Sequence, residues 1–319
     1  MSLYVYASSD NSWNVQGESG FSGAYVGPLT VEGFQADLNA DSRRGTGWYE
    51  SVNWRISGQS SSVATLFRNG NSFNTANGRY TAPVDGTYLV SMNARVDAAA
   101  SGYIRLVSSI NSGRNYNGGL HSLDGNPSDG TETMSVAGIV MLKKGDYISQ
   151  FLYSCCDNSW YLQHESGFSV TLLHDQSGSV GFMADLSASP LYGRGWFKPT
   201  SYNTHGSSSS RLFNSGHFDD ITGTFRAPLA GIYFVAANYR FDSACGVYFR
   251  VQVAINGNTD NNNGLMAIDG GPACDYASFN VEGMMWLEEN DRVEVWVYSD
   301  SDNSWYTNTE SGWGVTLIS

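Results

Sequence analysis

Hydrophobic and polar residues alternate along short segments of the chain, which is typical of β-strands with one buried face. One segment places five apolar residues on a single face: Tyr88, Val90, Met92, Ala94 and Val96. A later segment repeats this pattern with another five: Tyr233, Val235, Ala237, Tyr239 and Phe241. Clusters of Gly, Asn and Asp separate such segments about every ten residues, as in β-sandwiches. The pattern therefore predicts an all-β fold.

The chain also contains an internal repeat. The string DNSW begins at Asp10, Asp157 and Asp302, at spacings of 147 and 145 residues, and an ESG string follows five residues after each Trp. A period of this length is that of a domain, because solenoid repeats run about 20 to 50 residues. The spacing predicts tandem globular domains.

The repeat divides the chain into a terminal fragment at 1–26, a first repeat at 27–173 and a second repeat at 174–319. The fragment matches the last two strands of a repeat and predicts a hairpin, which alone is at best marginally stable in water. Two interpretations are open. The hairpin adds to a sheet of another chain or a neighbouring repeat, or it is the remnant of a longer array.

Composition and charge narrow the classes of protein. The 319 residues include 36 Gly, 13% aromatic residues and only 15% charged residues, which favours strands with tight turns and excludes a helical bundle. The formal net charge of -13 repels a phosphate backbone, so nucleic acid is not an expected partner. The sequence contains no apolar run of about 18 residues, so it predicts no transmembrane helix.

Several motifs occur in the same order in both repeats. YTAPVDGTY starts at Tyr80 and FRAPLAGIY at Phe225; a strand ending in Arg and Asp follows, then a GLxxxDG string, then a final strand that begins with ESG. This series resembles the globular head of the C1q and tumour-necrosis-factor-like superfamily. The resemblance implies tandem jelly-roll β-sandwiches that are secreted, non-enzymatic and assembled as a homo-oligomer of three jelly rolls or a multiple of three. Residues 1–26 contain no collagen-like Gly-X-Y repeat.

Catalytic chemistry has little support in the sequence. None of the five His has a His at the matching position of the other repeat; His121 corresponds to Met266, and His164 to Thr309. A catalytic triad or a metal-bound water needs a His, Cys or carboxylate cluster of defined geometry. We therefore expect a binding protein rather than an enzyme.

Acidic residues are predicted to converge at one end of each sandwich. Alternate loops of an up-and-down strand order share an end, which groups the loops at 97–102, 124–131 and 154–160 and their counterparts. The candidate metal ligands there are Asp97, Asp124, Asp129, Asp242, Asp269 and Asp275. Loop carboxylates suit Ca²⁺, and the resemblance adds that some family members bind Ca²⁺ through loop aspartates. Ordinary turn chemistry is the alternative interpretation.

Aromatic residues beside Asp form the second candidate site. Trp160 with Asp157, and Trp305 with Asp302, could hold a glycan, because sugars stack on aromatic faces next to polar groups. Packing of both Trp over the sandwich is the alternative. Further aromatic residues fall in an irregular segment where exposure is expected: Trp48, Trp54, Tyr192 and Trp196.

The four Cys predict one disulfide within the chain. Cys245 and Cys274 lie on adjacent predicted loops of the second repeat and could pair, which would indicate an oxidising compartment. Cys155 and Cys156 are neighbours in the chain, so we expect them to stay free or to link chains rather than to bond to each other.

Two hypotheses for function follow. The first is a secreted, extracellular, multivalent recognition protein whose trimerised heads bind a glycan or protein ligand in a lectin-like manner. The second is a structural or adhesive extracellular protein that self-assembles through its tandem jelly rolls and the hairpin at 1–26.

Overall fold

A computed structural model describes residues 32–56, 68–99, 103–113, 120–124, 130–156, 159–175, 179–205, 212–242, 248–259, 265–269, 276–300 and 304–318. Every regular element within these ranges is a β-strand. The strands of the first repeat are β1 Gly33–Leu38, β2 Ser42–Arg44, β3 Gly47–Glu50, β4 Trp54–Arg55, β5 Arg68–Asn69, β6 Phe73–Asn74, β7 Arg79–Thr81, β8 Gly86–Ala99, β9 Ile104–Ile110, β10 His121–Asp124, β11 Gly130–Leu142, β12 Tyr147–Ser154, β13 Trp160–Leu162 and β14 Gly167–Asp175. The predicted hairpin at 1–26 lies outside the described residues.

The second repeat reproduces this series. Its strands are β15 Gly181–Leu186, β16 Leu191–Tyr192, β17 Gly195–Phe197, β18 Tyr202–Asn203, β19 Phe213–Asn214, β20 Phe218–Asp219, β21 Thr224–Arg226, β22 Gly231–Asp242, β23 Phe249–Ile255, β24 Met266–Asp269, β25 Tyr276–Leu287, β26 Arg292–Ser299, β27 Trp305–Thr307 and β28 Gly312–Leu317. All of the strand pairs are antiparallel.

The strands form two packed sandwiches. An eight-stranded sheet in the order β2-β13-β8-β14-β1-β4, with β11 beside β8 and β5 beside β1, covers strands β9, β10, β12, β7 and β6 of the first repeat. A six-stranded sheet in the order β20-β21-β26-β23-β24, with β17 beside β26, covers β18, β15, β28, β22 and β25 of the second. One pair of opposite residues, Asp124 on β10 and Ala277 on β25, joins the sheets of the two repeats.

The repeated motifs make the same contacts in both sandwiches. Tyr88 closes the AP turn by donating its hydroxyl to the Val84 carbonyl at 2.7 Å, and Tyr233 donates in the same way to Leu229. In the ESG string, the Ser311 hydroxyl accepts the Arg240 backbone N–H at 3.0 Å. The motifs therefore hold turns and strand crossings together.

The ESG glycine allows two strands to approach closely. A Cβ atom on Gly312 would lie 2.6 Å from the Ala184 carbonyl oxygen, so a larger residue would force β15 and β28 apart. The glycine requirement is therefore steric.

The cores lie where the alternating pattern predicts. The five apolar residues at 88–96 and the five at 233–241 are all buried. In β8 the opposite face is open, as at Ser91. In β22 the opposite face is buried as well, at Phe234, Ala236 and Asn238. The first repeat covers that face.

Candidate recognition and assembly surfaces

The predicted convergence of three loops at one end is confirmed by the strand register. Ile104 pairs with both Asp124 and Ser154, and Gly130 pairs with Ala99. The strand ends that carry the three loops therefore lie together.

Four of the candidate metal ligands cannot be placed. The side chains of Asp124 and Asp269, and the whole of Asp129 and Asp275, lie outside the described residues. Within the described ranges, no group of three His, Cys, Asp or Glu is arranged to hold a metal ion. Metal binding stays a prediction for the loops.

The other two candidate ligands, Asp97 and Asp242, lie in ion pairs, and metal binding by them stays a prediction. The Arg240 Nε lies 2.6 Å from the Asp242 Oδ1, and Asn308 donates to the Asp242 Oδ2 at 2.8 Å. In the first repeat Arg95 pairs with Asp97 at 3.2 Å. Both carboxylates are thus neutralised by a guanidinium two residues earlier on the same strand face, because strand residues i and i+2 share a face.

The predicted aromatic ligand faces at Trp160 and Trp305 lie in the core. Trp160 is 0% exposed and Trp305 is 1% exposed. Their indole N–H groups donate to the carbonyls of Gly45 and Gly193, at 2.9 and 2.8 Å. Each large ring is buried in the core and is therefore not presented to a ligand. Asp157 and Asp302 lie outside the described residues.

The cysteines differ from the prediction in one respect. Cys155 and Cys156 form a disulfide with each other, in the bend after β12. Both thiols are therefore consumed within the chain and neither links chains. The Cys155 Sγ also accepts the Tyr103 N–H at 3.2 Å. The predicted pair of Cys245 and Cys274 lies outside the described residues.

The glutamate of each ESG string completes a charged triad with an Arg and an Asp. The sequence carries a signal for these triads, because the Arg, Asp and Glu recur at matching positions in both repeats. Arg95 pairs with Glu165, whose side chain is 51% exposed. Arg240 pairs with Glu310 at 2.5 Å, and Glu310 is only 12% exposed. The difference arises because Arg105 of the first repeat reaches across to Glu310 at 2.9 Å. The second triad is covered, and the first is open to solvent.

Electrostatics favour an ionised Glu310 in this contact. Burial raises the pKa of Glu310, but Arg105, His121 and Arg240 outweigh burial and hold the pKa below its usual value. The His121 Nε2 lies 3.8 Å from the Glu310 Oε2. A negative charge is therefore held between cationic groups of both repeats.

Hydrogen bonds extend the contact along β25. Asn280 donates to the Ser122 hydroxyl at 3.1 Å and to the Ser135 carbonyl at 2.6 Å. The Leu123 N–H donates to the Ser278 hydroxyl at 3.0 Å. Strands β10 and β11 of the first repeat thus dock on β25 of the second.

Apolar packing completes the contact. Four side chains of the second repeat belong to the hydrophobic cluster of the first: Met183, Phe213, Phe234 and Ala236. On the matching face of the first repeat, Gln35 and Ser91 are exposed in place of Met183 and Ala236. The docked face is apolar and the open face is polar.

A row of aromatic residues crosses three strands in each repeat. In the second repeat Trp196, Tyr298 and Arg250 lie directly opposite one another on β17, β26 and β23. The Trp196 and Tyr298 rings are 5.1 Å apart, and the Arg250 guanidinium lies 5.8 Å from the Trp196 ring centre. Both rings are half-buried. We call this row the aromatic platform.

The first repeat carries the same platform. Trp48, Tyr153 and Arg105 lie opposite one another on β3, β12 and β9, with the two rings 4.8 Å apart. Of the aromatic residues expected to be exposed, Trp48, Trp196 and Tyr192 are half-buried and Trp54 is buried. The tyrosines of the platform were not singled out from sequence, although Trp48 and Trp196 marked the place.

Comparison with known proteins gives fold neighbours alone. No family model and no curated protein sequence matches the chain. Among solved structures, murine APRIL is similar at 14% identity, covering 45% of this chain and 99% of that chain, with a TM-score of 0.33. The Eiger TNF of S. frugiperda is 15% identical over 47% of this chain and 96% of its own, with a TM-score of 0.34. The globular domain of zebrafish complement 1qA protein is 16% identical over 46% and 99%, with a TM-score of 0.32.

The fold class itself follows from strand order and register. Each repeat is an antiparallel, two-sheet β-sandwich, and the predicted all-β jelly-roll fold is confirmed. None of the described residues forms a helix of the length and apolarity needed to cross a membrane.

Proposed function

We propose that the protein is a secreted, non-enzymatic, multivalent recognition protein. Its domains are the jelly rolls at 27–173 and 174–319, and they bind a glycan or protein ligand after assembly into sets of three. One observation carries the proposal: the contact between the repeats leaves the counterpart of each contacting surface open. Assembly of weak sites raises their effective concentration and hence the avidity.

The open edge lies on the second repeat. β24 is the counterpart of β10, and among the described strands it pairs with β23 alone. Its Ile268 is 40% exposed, whereas the matching Leu123 is buried by the docked second repeat. An uncovered edge strand with apolar side chains favours pairing with another chain.

The open face lies on the first repeat. β11 is the counterpart of β25; Thr131 and Thr133 near its start are exposed, whereas the Ser135 and Ala137 carbonyls already accept hydrogen bonds from the second repeat. The exposed triad of Arg95, Asp97 and Glu165 stands beside it, where the second repeat has the triad that Arg105 covers. β24 of one chain would therefore dock on β11 of the next.

Mass measurement in solution tests this assembly. Sedimentation of the full chain should show a closed species of three jelly rolls or a multiple of three. Ile268→Lys should release single chains, because it places a charge on the docking edge. Leu191→Lys is the matched control, since Leu191 is 55% exposed on β16 away from β24. A single chain at all concentrations, or equal effects of both variants, would contradict the proposal.

The aromatic platforms support the recognition role. The half-buried Trp and Tyr rings of each platform, tilted against each other, offer an apolar face for sugar rings. Trp196→Ala should weaken saturable binding on a glycan array while leaving the fold intact, and the double variant Trp48→Ala, Trp196→Ala should abolish it. Binding measured with and without a chelator tests the Ca²⁺ prediction for the loops.

A structural or adhesive role is the second candidate, and the open surfaces also favour it. An interface between unlike surfaces closes into a ring only if the rotation between neighbours allows it, and otherwise it builds filaments. Growth beyond a closed species with rising concentration would support the structural role; a constant mass with saturable ligand binding supports recognition.

A further inference from the structure

A basin on the second repeat collects cationic side chains. Its volume is about 580 Å³, within the range of small-ligand sites. Lys198, Arg226 and Arg292 line it, together with His217, Asp219 and Glu294. The concentration of cations is notable in a chain whose net charge is -13.

Both acidic residues of the basin already have partners. Glu294 accepts from the Lys198 Nζ at 3.0 Å and from the Thr224 hydroxyl at 3.1 Å. Asp219 accepts the backbone N–H groups of Ile221 and Thr222 at 3.0 and 3.1 Å. These carboxylates therefore hold Lys198 and a turn in place.

Among the described residues, no carboxylate pairs with either of the two arginines. Arg226 and Arg292 are directly opposite each other on β21 and β26, and both are exposed. Neither guanidinium forms an ion pair with any residue in the described ranges, and Arg226 donates only to the Asn290 carbonyl among them. Like charges directly opposite on paired strands are unfavourable. An anion between them would remove that cost.

The first repeat shows that the fold does not require this arrangement. The positions of Arg226 and Arg292 are occupied there by Thr81 and Tyr147, which form the same strand pair. At the position of Thr224 the first repeat has Arg79, which pairs with Glu50 at 2.9 Å and lies over the Tyr147 ring at 4.6 Å. The cationic basin is thus specific to the second repeat.

We propose that Arg226 and Arg292 bind a tetrahedral oxyanion, the phosphate or sulfate group of a small ligand, in this basin. Guanidinium groups match the oxygen spacing of such groups and donate two parallel hydrogen bonds. Lys198 also lines the basin, where it is paired with Glu294. The site is separate from the aromatic platform and does not depend on the proposed assembly.

Isothermal titration of the full chain with inorganic phosphate, inorganic sulfate, N-acetylglucosamine 6-sulfate and unsulfated N-acetylglucosamine tests the proposal. At least one anion should bind saturably with a Kd of about 1 mM or below, and the unsulfated sugar should not bind in this basin. Tighter binding of the sulfated sugar indicates an ester ligand; tighter binding of an inorganic ion indicates the free anion.

Three variants locate the site. Arg226→Thr and Arg292→Tyr install the residues that the first repeat carries, and each should weaken anion binding at least about tenfold. Arg292→Lys keeps the charge but loses the paired donors and should give a smaller loss. The control is Arg43→Gln, which removes an exposed positive charge on β2 and should leave binding unchanged.

Circular dichroism and urea midpoints confirm that each variant is folded, and either arginine variant alone carries the test if the other does not fold. Absence of saturable binding for every anion would overturn the proposal. Retained affinity in a folded arginine variant would do so too, as would an equal loss in Arg43→Gln.

Discussion

Replacing Glu310 with Gln tests whether the covered triad holds the two repeats together. The Glu310 carboxylate lies 2.9 Å from the Arg105 Nη1 and 2.5 Å from the Arg240 Nη1. The exposed fractions of the three side chains are 12%, 4% and 12%. Gln keeps the size of the side chain and removes the charge, so two guanidinium groups would face a neutral amide.

The magnitude follows from the partners that survive. Hydrogen bonds to charged groups contribute about 1.5 to 3 kcal/mol each, and Glu310 accepts two. Arg240 keeps Asp242 at 2.6 Å, so the loss falls mainly on the contact with Arg105. We expect the free energy of unfolding to fall by about 3 kcal/mol, the lower end of the cost of breaking a buried ion pair.

The loss should depend on pH. Burial raises the pKa of Glu310, but Arg105 and the other cations lower it further, so the folded pKa is below the unfolded one. A carboxylate of this kind contributes stability above its unfolded pKa of about 4.3 and loses it as the pH falls through the folded pKa. The difference between the natural protein and Glu310→Gln should be complete at neutral pH and shrink below about pH 4.3.

Glu165→Gln is the matched control, because Glu165 occupies the same position in the exposed triad. Its pair with Arg95 is half in solvent, at 51% exposure of the carboxylate side chain, so the cost should stay below about 1 kcal/mol. Urea unfolding followed by tryptophan fluorescence measures both variants. Equal costs at neutral pH, or a Glu310→Gln effect that does not change with pH, would refute the role of the ion pairs.

Three further predictions concern burial. Met183→Gln places an amide in the docked face and should lower the free energy of unfolding in urea by about 2 to 4 kcal/mol. The reciprocal variant Gln35→Met should change it by less than about 0.5 kcal/mol. Equal effects of the two variants would contradict the difference between the faces. Trp305→Phe loses the indole N–H that donates to the Gly193 carbonyl at 2.8 Å. It should lower the free energy of unfolding, measured thermally, by about 2 to 3 kcal/mol and leave ligand affinity on the glycan array unchanged. Lost affinity in a folded variant would instead indicate that Trp305 contacts the ligand. Burial raises the pKa of Tyr88 to about 12. Its neutral hydroxyl therefore contributes stability that is complete below about pH 10 and declines as the pH rises toward the folded pKa. The urea midpoint of Tyr88→Phe should fall less at alkaline pH than that of the natural protein, and an equal fall would reject this assignment.

Local patterns were sufficient for the fold. The alternation at 88–96 and 233–241 predicted buried strands, and the AP and ESG motifs predicted jelly rolls of the observed class. Such signals are readable because side-chain direction in a strand depends only on backbone geometry. They also placed the three loops at one end of the sandwich, since connection order alone decides that.

Residue roles were less readable. Asp97 and Asp242 are acidic residues near loops, yet a guanidinium two residues earlier on the same face neutralises each. Trp160 and Trp305 follow a polar turn, yet the core buries them. A residue type near a loop allows both a ligand role and a structural role, and only its neighbours in space decide between them.

By itself the sequence determined that two similar chain segments each form an antiparallel sandwich, because periodicity and turn residues act over a few positions. Only the tertiary structure decided that Arg105 covers Glu310 of the other repeat while Glu165 stays in solvent, and that Arg226 faces Arg292 across two strands. These relations join residues that are far apart in the chain, and their energies depend on distance and burial, which sequence spacing does not contain.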